Sequence, residues 1–231
     1  MGVAANVKWR RTTGRICIVV AATCSLPGSA HSAVQPPPHQ SAPIVEEGRS
    51  TPDPLQELQR ADAILQALAR RRVPDWSPEA DAYKSRIRRQ MDELMDYEVL
   101  SRRALGDSWT SLRPAQRADF ASTLAALVDR AYIDVLTGGG DYRVALEAET
   151  IDGDQARVTG FRYAKSAGRR IPIAYSLIYR QGRWRIADVV IDGIGLVESY
   201  KREFDRLVRR QSFDGLLAIM KERLHRPAHG E

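Results

Sequence analysis

The hydrophobic pattern of this chain changes its period once, at three consecutive glycines, and this change constrains the fold more than any other feature. Between residues 114 and 136 apolar residues recur every three or four positions, which is the period of an α-helix with one buried face. Gly138, Gly139 and Gly140 stop that pattern. From Tyr142 to Glu149 apolar and polar residues alternate, as in a half-buried strand. The chain must therefore combine helices with a sheet.

Further helical stretches lie on both sides of this transition. The first starts after residue 53, with Asp53 as the N-cap and Pro54 at the first helical position. A second follows Ser77 and runs to about residue 94, and a short third ends at Gly106. Near the C-terminus an apolar stripe covers residues 196–208, and a last short helix begins at Leu216. The pattern therefore predicts helices before and after the strands.

Three more strands are predicted after the first. Short turns at residues 152–154, 166–168 and 181–182 separate the segments 155–164, 171–180 and 183–191. Consecutive strands joined by such short turns pair as an antiparallel meander. We therefore predict an α+β fold in which a curved four-stranded antiparallel sheet has its N- and C-terminal helices on one face.

The first 30 residues have the form of a cleavable signal peptide. Four basic residues precede an apolar run at residues 16–26, which is too short to span a membrane, and small residues follow it. Residues 31–53 form a Pro-rich segment that we expect to be disordered. Residues 54–224 are then a single domain, and residues 225–231 a disordered tail. Export by general secretion is the expected route.

Removal of this leader changes what the composition implies. The formal net charge falls from +6 to +2, so net charge no longer supports a nucleic-acid partner. Both cysteines, Cys17 and Cys24, leave with the leader. A chain without thiols suits an oxidising compartment and must be held by its core.

Residues suited to catalysis are scarce in the predicted domain. All four histidines lie in the predicted tails, and His225 and His229 have Pro227 between them and no third ligand nearby. Asp188 and Asp192 form a possible carboxylate pair, but turn formation and helix capping explain them more simply. We therefore predict no catalytic residues, no metal site and no cofactor.

A resemblance to a known family rests on residues 182–196, which read GRWRIADVVIDGIGL, with Tyr175-Ser176-Leu177 before them and Tyr200 and Phe204 after them. This stretch resembles the signature of the MlaC, or toluene-tolerance, family of periplasmic phospholipid-binding proteins. The helical region carries further matches in the family's order. They are Asp96-Tyr97-Glu98, Ala104-Leu105-Gly106, Trp109, Pro114, Gln116-Arg117 and Phe120. The resemblance covers about residues 55–224.

This resemblance implies a periplasmic carrier with a fold of the NTF2-like or cystatin-like layout. Such a carrier holds phospholipid tails between a curved sheet and its helices. It exchanges phospholipid or a related apolar lipid with an inner-membrane ABC lipid transporter complex and an outer-membrane lipoprotein/porin complex. Some subgroups are linked to hopanoids, so a hopanoid-associated carrier is the alternative within the family. The implied protein is not an enzyme.

Burial of lipid tails supplies enough energy for such a carrier without chemistry. Two acyl tails contain roughly 30 methylenes, and their burial yields on the order of 25 kcal/mol relative to water. A bilayer offers a similar gain, so transfer between bilayer and protein is nearly balanced. From alternation and helical periodicity we expect the tails to contact Leu124, Leu127, Val144, Leu146, Tyr175, Leu177, Ile186, Val190, Leu196 and Tyr200.

Two interpretations from other functional classes stay open at this point. In the first, the same fold is a ligand-free interaction module whose apolar faces pack fully against each other. In the second, Asp188 or Asp192 serves a small hydrolase or isomerase, since related folds also host enzymes. A large apolar cavity would favour the carrier, whereas a polar cleft would favour the enzyme.

Overall fold

The computed structural model describes residues 52–71, 73–74, 76–137, 142–164 and 169–226. The predicted signal peptide, the Pro-rich segment up to residue 51 and the tail from residue 227 lie outside these residues. Elements follow the predicted order, with a 3-10 helix at Gly106–Trp109 in addition. The elements are α1 Pro54–Ala69, α2 Ala80–Leu94, α3 Tyr97–Leu105, α4 Pro114–Thr137, β1 Tyr142–Asp152, β2 Gln155–Ala164, β3 Arg169–Arg180, β4 Arg183–Ile191, β5 Ile194–Gly195 and α5 Leu196–His225.

The helix starts follow local sequence signals. The Asp53 carboxylate accepts a hydrogen bond of 2.9 Å from the Gln56 backbone N–H, so the predicted N-cap of α1 is confirmed. In α3 the buried Asp96 carboxylate caps Val99 in the same way, at 2.9 Å. Gly106 ends α3 with a φ of 59°, a conformation that favours glycine. These caps place the helices where the sequence predicted them.

The strands pair in the order β1-β2-β3-β4-β5, and every pair is antiparallel, which confirms the meander. The sheet has five strands where four were predicted. A turn at Asp192 and Gly193 folds the chain back, so that Ile194 pairs with Ile191 and Gly195 with Val190. The extra strand is only two residues long, which is too short for alternation to reveal it.

One side of the sheet packs against the helices, and we call it the core face. It carries Ala156 and Val158 of β2, Leu177 of β3 and Ile186 of β4, all of which are buried in one cluster with helical residues. The helices contribute Leu58 and Leu65 from α1, Tyr83, Ile87 and Met91 from α2, Phe120 and Leu124 from α4, and Tyr200 and Phe204 from α5. The hydrophobic core therefore lies between this face and the helices.

A bulge in β4 reverses the alternation along that strand. Leu177 pairs with Ile186, but Tyr175 pairs with Val189, so one extra residue lies between these two pairs on β4. Val189 therefore shares the core face with Ile186, and Val190 lies on the opposite face. The prediction that Val190 faces the helices is wrong, because it assumed unbroken alternation.

The C-terminal helix is broken at one residue. Ser212 has φ 66° and ψ 176°, so α5 consists of a first segment up to residue 211 and a second from residue 213. This break agrees with the two helices predicted from the sequence. In the described part of the chain, no helix is both long enough and apolar enough to cross a membrane.

Candidate functional site

The predicted lining residues on the strands lie on the core face, with the exception of Val190. On β1, Val144 pairs with Arg162 and Leu146 pairs with Gly160, and both partners lie on the same face as Val158. Tyr175, Leu177 and Ile186 extend this surface across β3 and β4. Three strands thus present one apolar surface toward the helices.

The predicted lining residues on the helices meet that surface from the other side. Leu124 is fully buried on α4, and Tyr200 is buried on α5, where its burial raises the pKa of the phenol to about 12. Eight of the ten predicted residues belong to a single hydrophobic cluster. They are Leu124, Leu127, Leu146, Tyr175, Leu177, Ile186, Leu196 and Tyr200. The structure therefore brings most of the predicted set together between helices and sheet.

Polar side chains interrupt this apolar interior, and the sequence analysis missed them as a group. Asp62 lies four residues after Leu58 on α1, and Tyr132 lies on the α4 stripe that begins at Leu124. Arg162 on β2 and Tyr175 on β3 are on the core face. We call Asp62, Tyr132, Arg162 and Tyr175 the inner polar cluster. A carboxylate inside the apolar stripe of α1 was the signal that could have revealed it.

Electrostatic interactions join the members of the inner polar cluster. Burial raises the pKa of the Tyr132 and Tyr175 phenols, the Asp62 carboxylate raises it further, and the Arg162 guanidinium opposes both effects. Burial also raises the pKa of Asp62 itself. Both phenols are therefore neutral hydrogen-bond donors near neutral pH.

Three hydrogen bonds attach the start of the first helix to the sheet. Glu57 accepts a hydrogen bond of 2.9 Å from the Trp184 backbone N–H, and the Trp184 indole donates to the Pro52 carbonyl at 2.6 Å. Glu149 of β1 accepts a hydrogen bond of 2.8 Å from the Leu55 N–H. Because these bonds hold the start of α1 against β1 and β4, α1 covers part of the core face.

A second buried carboxylate lies among the helices. Asp129 of α4 is 4% exposed and accepts a hydrogen bond from the Tyr97 phenol of α3. Its burial raises its pKa to about 6, with a further rise from Asp92, while the Tyr97 hydrogen bond and Arg88 oppose the shift. This carboxyl therefore changes its charge within the range of mildly acidic pH.

Asp188 and Asp192, which the enzyme interpretation treats as a carboxylate pair, have structural roles in the fold. Asp188 accepts hydrogen bonds from the backbone N–H groups of Val189 at 2.8 Å and Val197 at 3.0 Å, so it caps the start of α5. Asp192 lies in the turn before β5 with a φ of 52°, a conformation that Asp tolerates better than most residues. The capping interpretation of Asp188 and the turn interpretation of Asp192 are confirmed.

Two surface pockets in the described part of the chain lie beside α3 rather than between helices and core face. One has a volume of about 230 Å³ and is lined by Glu98, Val99, Arg102, Ile178 and Arg180. The other has a volume of about 390 Å³. It is lined by Glu98, Trp109, Pro114, Arg117, Ala118 and Ala121. The predicted tail-binding residues are not part of either lining.

Comparison with known proteins identifies the group to which this chain belongs. The family described as MlaC protein matches residues 59–222. The intermembrane phospholipid transport system binding protein MlaC of Haemophilus influenzae is 22% identical over 145 residues, which cover 61% of this chain and 68% of that protein. The fold is shared with a phospholipid-binding protein from Ralstonia solanacearum, solved in complex with a phospholipid, at a TM-score of 0.62 and 19% identity. That match covers 74% of this chain and 97% of the other. Because the family match spans well over half of its length, the chain belongs to the MlaC family.

Proposed function

We propose that this protein is a periplasmic lipid carrier that holds phospholipid tails between its core face and its helices. The observation that carries the proposal is the convergence of Leu124, Leu146, Leu177, Ile186 and Tyr200 from five elements into one apolar cluster. A surface that binds acyl tails must be apolar on several sides, and this cluster is built from both layers of the fold.

The carrier would deliver lipid by docking rather than by chemistry. Burial of two tails is worth on the order of 25 kcal/mol relative to water, so release into water is prohibitive. Release to a partner that offers a similar apolar environment costs little. We propose that the partners are an inner-membrane ABC lipid transporter complex and an outer-membrane lipoprotein/porin complex. The protein would reach them after export and act without a cofactor or an enzymatic step.

The lining set that we propose contains the predicted residues on the core face together with Val189. Val189 pairs with Tyr175 and packs at the edge of the hydrophobic cluster, whereas Val190 lies across the sheet. The domain would comprise residues 54–224 in an NTF2-like or cystatin-like layout. Displacement of α1, which buries Leu58 and Leu65 in the hydrophobic core, would widen the space for the tails.

Native mass spectrometry of the protein purified from a bacterial periplasm tests this function. We expect about one diacyl phospholipid per protein, identified after extraction into organic solvent. A co-purifying hopanoid would instead assign the alternative cargo within the family. Lipid-free protein that also takes up no lipid from vesicles would contradict the carrier function.

A ligand-free interaction module is the second candidate. It is favoured by the burial of Phe120, Leu124, Phe204 and Ile186 in the hydrophobic core. A module of this kind would keep these side chains packed in the presence of vesicles. Lipid uptake by the purified protein separates the two candidates, because only the carrier takes up tails.

A further inference from the structure

We propose that the corner between α1 and α2 docks on the surface of an anionic lipid bilayer, with Trp76 entering the headgroup region and Arg70 and Arg71 contacting anionic headgroups. The α1–α2 corner comprises residues 70–79, of which Arg72 and Asp75 lie outside the described residues. The inference goes beyond the proposed function, which assigns protein complexes as partners and lipid as cargo. It does not depend on that function, because docking on a bilayer needs no lipid inside the protein.

Trp76 is the feature that distinguishes this corner. It is 87% exposed, whereas Trp109 and Trp184 are 7% and 3% exposed. The Ser77 backbone N–H donates to the Pro74 carbonyl at 2.9 Å, so Trp76 lies within a tight turn. An indole is stabilised where its apolar ring leaves water and its N–H stays hydrated, and the headgroup region of a bilayer provides both conditions. Trp76 is therefore placed as an interfacial anchor would be.

Contacts between the two helices fix the shape of the corner. The buried Tyr83 of α2 donates its phenol hydrogen to the Leu68 carbonyl of α1 at 3.1 Å. Arg71 Nη2 lies 3.8 Å from a Glu79 carboxylate oxygen, which closes the corner across its base. Trp76 is three residues before Glu79, so their Cα atoms are within about 11 Å of each other. The indole and the arginines are therefore close enough to contact one bilayer surface together.

The corner and the first turns of α2 carry an excess of positive charge. Residues 70–89 contain seven basic and three acidic residues, whereas the whole chain after the predicted leader has a formal net charge of only +2. Arg70 and Arg71 are exposed. The ion pair of Arg71 with Glu79 is long and joins side chains that are 49% and 72% exposed, so it holds Arg71 only weakly. An anionic surface is therefore attracted to this part of the molecule.

The exposed side of α1 leads to this corner. Arg60, Ile64 and Ala67 are exposed and lie at spacings of four and three residues, which places them on one face of the helix. Ile64 is 47% exposed, so this face offers an aliphatic group beside a basic one. Neither pocket beside α3 is lined by corner residues. An open surface that combines an indole, an aliphatic group and arginines matches the headgroup region of an anionic bilayer.

Co-sedimentation with vesicles tests the inference on protein purified from a bacterial periplasm. Vesicles of phosphatidylcholine, alone or mixed with phosphatidylglycerol, are pelleted, and the fraction of bound protein is measured for each. We expect binding to the mixed vesicles that weakens as salt is added. The double variant Arg70→Gln/Arg71→Gln should bind about tenfold more weakly, since each basic residue near an anionic surface contributes roughly fivefold. Trp76→Ser should bind about fivefold more weakly or worse, because burial of the indole is lost.

Two variants elsewhere on the surface are matched controls. Arg209→Gln/Arg210→Gln removes two exposed neighbouring charges from α5, and Ile151→Ser removes an apolar side chain that is 52% exposed on β1. Both should change vesicle binding by less than about twofold, since charges more than a Debye length from the contact are screened. Equal losses in corner and control variants would show attraction by overall charge and would overturn the inference. Corner variants that bind like the wild type, or wild-type protein that binds neither kind of vesicle, would also overturn it. The carrier function would stand in each case, because native mass spectrometry measures the cargo separately.

Fluorescence identifies the residue that enters the bilayer. Brominated phosphatidylglycerol in the vesicles quenches tryptophans that contact its tails, and the difference between wild type and Trp76→Phe reports Trp76 alone. We expect the Trp76 emission to shift to shorter wavelength and to be quenched on these vesicles. A Trp76 signal that bromine does not quench would overturn the inference. A dimer that forms without vesicles and is lost in Trp76→Ser would assign the corner to a second copy of this chain and would overturn it as well.

Discussion

Gly160 shows how one residue lets two strands approach each other. β1 contains a bulge between Leu146 and Ala148, and Gly160 of β2 lies opposite it. A Cβ atom on Gly160 would lie 2.0 Å from the Ala145 carbonyl oxygen and 2.8 Å from the Leu146 Cα. These neighbours are backbone atoms, so they cannot move aside without distorting β1.

We therefore expect Gly160→Ala to destabilise the protein by roughly 1–3 kcal/mol, as overpacking of a well-packed site does. Gly195→Ala is the matched control, because its Cβ would meet its nearest neighbours at 3.5–3.8 Å, which is ordinary contact. Urea denaturation of both variants measures the difference. Equal stability of the two variants would contradict the close approach at the bulge.

Asp129 should make stability depend on pH between about 4 and 6. Its pKa is about 6 in the folded protein and 3.8 ordinarily, so the folded state holds the proton at a higher pH than the unfolded chain does. This contribution is fully present below about pH 4 and is lost as the pH rises through 6. A difference of about two pKa units corresponds to at most about 3 kcal/mol.

The variant Asp129→Asn should therefore be more stable than the wild type at pH 7 and lose this part of the pH dependence. Asn still offers an oxygen to the Tyr97 phenol, so the hydrogen bond can remain. Asp134→Asn, an exposed position on the same helix, is the control. Thermal denaturation from pH 4 to pH 7 measures the slopes, and parallel curves for Asp129→Asn and wild type would refute the prediction.

At the scale of the secondary-structure elements, the start of α1 is attached to the sheet by a few specific hydrogen bonds. The Trp184 N–H donates to Glu57, and Trp184 itself is 3% exposed, so loss of the acceptor leaves a buried donor unsatisfied. We expect Glu57→Ala to weaken the docking of α1 by about 1–3 kcal/mol. Hydrogen exchange should then accelerate for α1 amides more than for α4 amides.

Glu93→Ala is the control for this experiment, since Glu93 is exposed on α2 and its replacement should change stability by less than about 0.5 kcal/mol. An equal acceleration of exchange in α1 and α4 would indicate global destabilisation. That result would contradict the expectation that Glu57→Ala weakens the docking of α1 specifically.

The break in α5 stores backbone strain. Ser212 has φ 66° and ψ 176°, a conformation that glycine adopts readily and other residues avoid. Ser212→Gly should therefore stabilise the protein by about 1 kcal/mol, since relief of strain exceeds the added entropy of the unfolded chain. Ser199→Gly, in the first turn of the same helix, should destabilise it. Calorimetry of both variants measures the signs, and a destabilised Ser212→Gly variant would contradict this account.

At the scale of the whole molecule, the proposed function couples stability to lipid. Anything that binds only the folded state stabilises it, by about 2.7 kcal/mol when its free concentration is 100 times its Kd. We expect protein purified with lipid to melt about 5–10 °C above the same protein after delipidation. Readdition of phosphatidylglycerol should restore the higher Tm. An unchanged Tm after delipidation would contradict a bound cargo.

Sequence alone located the elements because the signals that set them are local. The caps at Asp53 and Gly106 and the periodic stripe from Phe120 to Val128 depend on residues within a few positions of each other. The same local alternation placed Leu146, Tyr175 and Leu177 on the core face. The family assignment also followed from contiguous sequence, and the match over residues 59–222 confirmed it.

Tertiary structure decided what depends on the pairing of distant residues. The bulge opposite Ser176 and Leu177 places Val189 on the core face and Val190 on the opposite face. Alternation in the sequence could not reveal this change, because one extra residue reverses the facing of every later residue in the strand. The inner polar cluster joins α1, α4, β2 and β3, whose members are up to 113 residues apart, between Asp62 and Tyr175. Local sequence determined the elements and their apolar faces, whereas the strand register and the meeting of buried charges arose only when the chain folded, because both depend on contacts between distant segments.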